Sequence, residues 1–324
     1  MKPWLSALLI LLGSTPAFAN GAMASFPAGG VEFKDSADIS IAREDLRLGP
    51  GEVRVQYRFV STAAEPQTVT IGFPLPRVPS SPDTPDSVGA VEGSGGDMRN
   101  YLGFGVSVDE RPLIPILHEF AWLGEKDVTA TILAAGLPLI SDYETWQVQS
   151  AKLSLEEATA LVAAGLVYGK PGGYLDPLWD YQAIYEWSQE FTPGETEVDI
   201  RYKPLMGWPG DFGSTYEVGE HADSACVDDA LRAEIAAREA DGHYYQVAQL
   251  DYITQTAKHW HGPIGEFNLT IDASQPENWA ASDSGVLFAS CPVAPTQLGE
   301  HEWGFTAKDY VPDRDVRVFF YFFD

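Results

Sequence analysis

The chain has 324 residues, with 47 acidic against 20 basic side chains and a net charge of −27. A surface this acidic repels phosphate backbones and anionic headgroups, which excludes nucleic acid as a partner. With 45% hydrophobic and 12% aromatic residues, the chain can bury a full core, as one elaborated domain or two.

The opening MKPWLSALLILLGSTPAFAN joins Lys2 to an apolar run from Leu5 to Leu12 and to the small-residue pattern Ala17-Phe18-Ala19. It reads as a secretory signal peptide cut after Ala19, because the run falls short of the ~20 apolar residues that cross a bilayer. The mature chain is expected to be periplasmic or secreted, with no transmembrane segment left after cleavage. Its only cysteines are Cys226 and Cys291, and an oxidising compartment favours a disulfide between them.

From Val31 to Pro115 the pattern is that of strands. Val53, Val55, Tyr57 and Phe59 alternate with Arg54, Gln56 and Arg58, so one face is buried and the other wet. After a turn through Ala63 to Pro66, the alternation resumes at Val69, Ile71 and Phe73, which predicts a β-hairpin. Phe104, Val106 and Val108 form a further strand. The stretch from Pro76 to Asn100 is rich in Pro, Gly and Ser and reads as a loop. Its Gly93-Ser94-Gly95-Gly96 lacks the spacing and the lysine of a phosphate cradle.

The middle changes character. Asp127 is placed to cap a short helix through Thr131 to Ala135, ended by Gly136 and Pro138. Ser154 and Glu157 make a capping box, with Leu155, Ala158, Leu161 and Val162 as an apolar face. From Tyr181 the strands return: one through Ala183, Tyr185 and Trp187, a turn at Thr192-Pro193-Gly194, and a partner through Val198, Ile200 and Tyr202. A helix from Val227 to Ala240 precedes strands at YYQVAQLDYIT, GEFNLTI, Val286 to Ala289 and the terminal VRVFFYFF. The interior lacks the run of alternating ~10-residue segments that a membrane barrel needs, so the last strand is expected to be buried.

These elements predict a mainly β protein of antiparallel β-sandwich-like units with a small helical insertion. The expected divisions are a signal peptide at 1–19, an N-terminal unit at 20–120, the insertion at 121–175, and a C-terminal β-rich unit with one helix at 176–324.

The motifs that mark enzymes are missing: the chain has no Gly-x-Ser-x-Gly elbow, no His-Glu-x-x-His and no EF-hand loop. No catalytic or cofactor-binding residue is assigned. His259 and His261 are the metal candidates, since residues two apart on a strand share a face, and His243 or Asp251 would have to supply a third ligand. Without a spaced third ligand, the expectation is no metal and no cofactor. Trp179, Tyr181, Tyr185, Trp187, Trp208 and Tyr216 cluster in one stretch, and with Trp260 they are the candidate ligand face, because flat rings stack on apolar ligand surfaces. Core packing is the competing reading.

Several motifs recur as a set: Ala28-Gly29-Gly30-Val31-Glu32-Phe33, Ile41-Ala42-Arg43-Glu44-Asp45-Leu46, Phe73-Pro74-Leu75-Pro76, Tyr185 to Gly194, Gly262 to Phe267, and Asp309 to Asp315. In these the chain resembles a bacterial exported family catalogued as domain of unknown function 4424. The resemblance implies an exported bacterial protein without an assigned activity, and it gives His259 and His261 no role. The expected function is a non-catalytic binding or envelope-associated module with a protein or glycan ligand. The alternative is a periplasmic hydrolase with an unrecognised carboxylate or histidine site, and a third class is a structural scaffold. A pocket gathering titratable groups with shifted pKa values favours the hydrolase, whereas exposed aromatics without such a pocket favour binding.

Overall fold

The computed structural model describes residues 22–25, 32–33, 37–75, 77–80, 98–100, 102–204, 226–274 and 286–323. The stretch read as a signal peptide, most of the Pro/Gly/Ser-rich loop, Trp208 and Tyr216 lie outside them. The principal strands are β1 (Ile39–Leu48), β2 (Val53–Ser61), β3 (Gln67–Pro74), β4 (Gly105–Val108), β5 (Ile116–Leu123) and β6 (Asp180–Phe191). They are followed by β7 (Gly194–Tyr202), β8 (Tyr245–Tyr252), β9 (Ile264–Asp272), β10 (Val286–Cys291), β11 (Glu302–Tyr310) and β12 (Val316–Phe323).

The large sheet has eight strands, ordered 296–297, β11, β9, β1, β2, β7, β4 and 111–113. All its neighbours are antiparallel except β9 and β1, which run parallel. A facing sheet of seven strands runs 126–127, β5, β6, β3, 22–25 and 32–33, with 78–79 also on β6. A small sheet of three strands runs β8, β12, β10. The fold is thus mainly antiparallel β with few helices, as the alternation predicts.

Both predicted hairpins are something else. β2 pairs with β1 and β7 in the large sheet, whereas β3 pairs with β6 in the facing sheet. The turn after β2 therefore arches from one sheet to the other, and the turn between β6 and β7 does the same. The two arches lie side by side, since Gly194 pairs with Ser61 and Phe191 with Gln67. Alternation assigns each strand an inner face, but an arch and a hairpin present the same alternation. Between the sheets Phe59 meets Phe191 at 5.4 Å, and Phe73 meets Phe104 at 5.1 Å and Tyr202 at 5.8 Å, centroid to centroid. Such contacts make the sandwich core.

β12 is apolar on both faces because both are covered. Val318, Phe320 and Phe322 enter the main core. Phe319, Tyr321 and Phe323 pack instead with Val227 and Ile235 beneath a helix. A sheet covered on two sides reads as a continuous hydrophobic run.

Four helices are used below. α1 (Thr129–Ala134) begins one residue beyond Val128 rather than at an Asp127 cap, although the Thr129 amide donates to the Asp127 carboxylate at 2.9 Å. α2 (Tyr143–Ser150) was not expected; the Thr145 amide donates to its N-cap, Asp142. α3 (Leu155–Ala163) carries the predicted capping box between Ser154 and Glu157. α4 (Asp229–Ala240) is capped by Asp228 and covers the small sheet. Cys226, just before α4, is bridged to Cys291 at the end of β10, with Cα atoms 5.7 Å apart. No helix among the described residues is long and apolar enough to cross a membrane.

Candidate functional site

The described members of the aromatic face named from sequence are core, Trp208 and Tyr216 lying outside the described residues. Trp179, Tyr181, Tyr185, Trp187 and Trp260 are all buried, so none offers a ring to a ligand arriving from solvent. The Trp179 indole donates to the Leu139 carbonyl at 2.9 Å and the Tyr185 hydroxyl donates to Asn100 Oδ1 at 2.8 Å, whereas the Trp187 indole nitrogen finds no partner among the described residues. Trp260 packs on Phe59 at 4.6 Å. Sheet-to-sheet burial takes these rings, and nothing in their spacing distinguishes that from display.

The histidine pair does not sit on a strand either. His259 ends a short 3₁₀ turn (Gln255–His259), and His261 is exposed two residues later. The shared-face argument therefore fails, because alternation belongs to extended backbone. Among the described residues, no three His, Cys, Asp or Glu side chains gather as a metal set.

What the structure does display is a tyrosine platform built on α2 and a short ribbon that follows α3. A two-stranded ribbon, Val167–Gly169 with Leu175–Pro177, places Tyr168 directly across from Asp176. Tyr174, two residues before Asp176, donates its hydroxyl to that carboxylate at 2.6 Å. Tyr143, the first residue of α2, brings its ring to 6.5 Å from that of Tyr174, nearly parallel at 28°. The three rings remain 53% (Tyr143), 72% (Tyr168) and 45% (Tyr174) exposed.

The base of the platform is rigid. Trp146 on α2 is buried, donates its indole N–H to the Leu175 carbonyl at 2.6 Å, and meets Trp179 edge-on at 5.8 Å. Gly169 adopts φ +132°, and a Cβ there would lie 2.2 Å from the Tyr174 carbonyl oxygen, so only glycine lets the ribbon close. Rings held on a fixed ribbon lose little side-chain entropy when a ligand stacks on them. A carboxylate beside exposed rings is also the pairing that accepts ligand hydroxyls while the rings cover ligand C–H faces.

A concavity of about 430 Å³ crosses the outer face of the large sheet, lined by Arg43, Arg54 and Arg58 with Asp45, Glu110, Glu197 and Asp199. Its arginines are already engaged. Arg54 pairs with Asp199, Arg43 with Asp45 at 2.7 Å and Arg58 with Glu197 at 3.4 Å. Hydrogen bonds donated to Asp45 and Asp199 hold Arg43 and Arg54 above the usual guanidinium range. They therefore stay cationic, which suits a cross-strand ladder and not proton transfer. The carboxyl that is raised strongly, Glu44, is fully buried and reaches no substrate.

Sequence reasoning passed over the platform because Tyr143, Tyr168 and Tyr174 are dispersed among polar residues and belong to no alternating run. The glycines around the ribbon, Gly169, Gly172 and Gly173, were the available signal of a tight, displayed turn.

A family model described as a domain of unknown function (DUF4424) matches residues 19–319. Among curated proteins no match is found. Among solved structures, the chain is similar to a Legionella pneumophila protein described provisionally as nutrient-binding. The two are 12% identical with a TM-score of 0.43, over 94% of this chain and 70% of that one.

Proposed function

Because the chain belongs to the DUF4424 family, whose activity is not established, we propose its function from the site itself: an exported, non-catalytic binding module that takes a glycan on the tyrosine platform. The observation that carries this reading is the exposed set Tyr143, Tyr168 and Tyr174 around the Asp176 carboxylate. Pyranose rings present flat C–H faces to stack on tyrosine and hydroxyls to donate to a carboxylate. A neutral sugar also escapes the repulsion that a −27 chain exerts on an anionic ligand.

Titration calorimetry of the mature chain against neutral gluco-, galacto- and chito-oligosaccharides tests the reading. At least one series should bind, and Tyr174→Ala and Tyr143→Ala should each weaken it about tenfold, the worth of one aromatic contact. Arg58→Ala, on the outer face of the large sheet, should leave affinity unchanged. Binding lost with Arg58→Ala but kept with Tyr174→Ala would move the site to the arginine groove. Absence of binding to every series would remove the glycan reading. Export is part of the proposal, and fractionation should find a mature chain beginning at Asn20 outside the cytoplasm.

A further inference from the structure

Glu44 is fully buried, and among the described residues neither of its carboxyl oxygens has a hydrogen-bond partner. A bulge puts it there. The pairing of β1 with β2 slips between Ile41 and Arg43, so that Ala42 is extra and Glu44 stands on the inner face opposite Tyr57. Without that slip the even-numbered residues from Ser40 onward would keep to the outer face, and Glu44 would be in water. The bulge is accommodated by β9, where a Cβ on Gly265 would lie 2.7 Å from the Ala42 carbonyl oxygen.

The position is a junction of sheets. Tyr57 comes from β2 of the large sheet and Tyr252 from β8 of the small sheet, and their buried hydroxyls are 2.9 Å apart, either one donating. Tyr310 of β11 also feels the charge of Glu44, and Tyr202 of β7 acts on both Tyr57 and Tyr252. The charged neighbour that acts on Glu44 itself is Asp45, a like charge on the outer face of the same strand. The small sheet has a core of its own, in which Ile235 of α4 packs with Tyr245, Phe319 and Tyr321, and the Cys226–Cys291 bridge closes it covalently. This core is separate from the seat that Val318, Phe320 and Phe322 make in the main core, so loosening that seat leaves the internal packing of the small sheet in place.

We propose that Glu44 is a protonation-controlled latch between the large and small sheets. Protonated, it lies among the tyrosines and the sheets stay docked. Ionised, it draws water into the junction, and the small sheet with α4 loosens from the rest. A lone carboxylate in an apolar interior is far more costly than its acid form, and burial, with Asp45 adding to it, pushes the Glu44 carboxyl up to about 8. The opened form ionises near the ordinary value of 4.5. Docking is therefore strongest below about 4.5 and weakens as pH rises towards 8, above which both forms are ionised and the dependence stops.

Hydrogen exchange of the mature chain, followed by mass spectrometry and corrected for intrinsic rates, tests the latch. Between pH 6 and 8, protection in β8 and β12 should fall by up to about tenfold per pH unit, one proton being linked to opening. Protection in β3 and β6 of the facing sheet should stay level. Glu44→Gln should abolish the slope in β8 and β12. A parallel fall in all four strands would overturn the latch in favour of uniform destabilisation, and so would a slope that persists in Glu44→Gln. Should that variant fail to fold, the strand-specific slope of the wild type decides alone. Tyr252→Phe, which removes the hydroxyl joining the two sheets, should lower protection in β8 and β12 at pH 6 while keeping the slope; unchanged protection there would count against the junction.

Discussion

Replacing Cys226 and Cys291 together by Ser removes the covalent tie between α4 and the end of β10. The bridged residues are 65 apart in sequence, and closing a loop of that length removes about 14 cal/mol/K from the unfolded chain, or about 4 kcal/mol at 25 °C. What holds α4 otherwise is small. Ile235 is its buried anchor, with Val227 buried just before its cap, Leu231 partly buried and the Arg238 guanidinium over the Phe323 ring at 4.7 Å. Burial of one aliphatic side chain contributes about 1.5–3 kcal/mol, so the bridge is comparable to the whole apolar seat of the helix. Urea denaturation of the unreduced wild type and the double variant, followed by circular dichroism, should show a loss of about 3–4 kcal/mol. It should also show the α4 segment exposed before the main sandwich unfolds. A loss below about 1 kcal/mol, or two alkylatable thiols in the unreduced wild type, would refute the reasoning.

Tyr57→Asp places a second carboxyl opposite Glu44 in the sealed junction and should cost at least about 3 kcal/mol, enough to abolish a folded baseline in thermal melting. Arg58→Asp, on the wet face of the same strand, exchanges a loose pairing with Glu197 and should change stability by no more than about 1 kcal/mol. Equal effects would show that the faces of β2 are reversed. Glu44 also sets a global slope with pH. Its carboxyl is raised in the fold from 4.5 to about 8, so its contribution is fully present below pH 4.5 and is lost progressively up to pH 8. The loss is on the order of 4–5 kcal/mol at 1.36 kcal/mol per unit. Denaturation at pH 5 and pH 8 should show about 3.5 kcal/mol of that loss in the wild type, and Glu44→Gln should reduce it to the residual slope of the remaining groups.

By itself the sequence determined the quantities that local chemistry controls. The alternation in β2 named its buried residues, the Ser154–Glu157 box placed the start of α3, and two lone cysteines implied their bridge. Each of these is settled within a few residues or by elimination. Pairing partners are not. The segments on either side of Ala63 to Pro66 alternate identically whether they fold as a hairpin or arch between sheets, and only the packing of Phe59 on Phe191 and Phe73 on Tyr202 selects the arch. β5 and β11 escaped notice because most of their side chains are only half-buried, which erases the period-two signal. α2 escaped because it buries Trp146 alone, too little for a helical stripe. The display of Tyr143, Tyr168 and Tyr174, and the burial of Tyr181 and Tyr185, depend on which surfaces other strands cover. The inward turn of Glu44 depends on one extra residue at Ala42, whose room is made by Gly265 more than 200 positions away. A one-residue slip exchanges the faces of everything beyond it, so the most consequential carboxyl in the chain is placed by a contact that no local pattern contains.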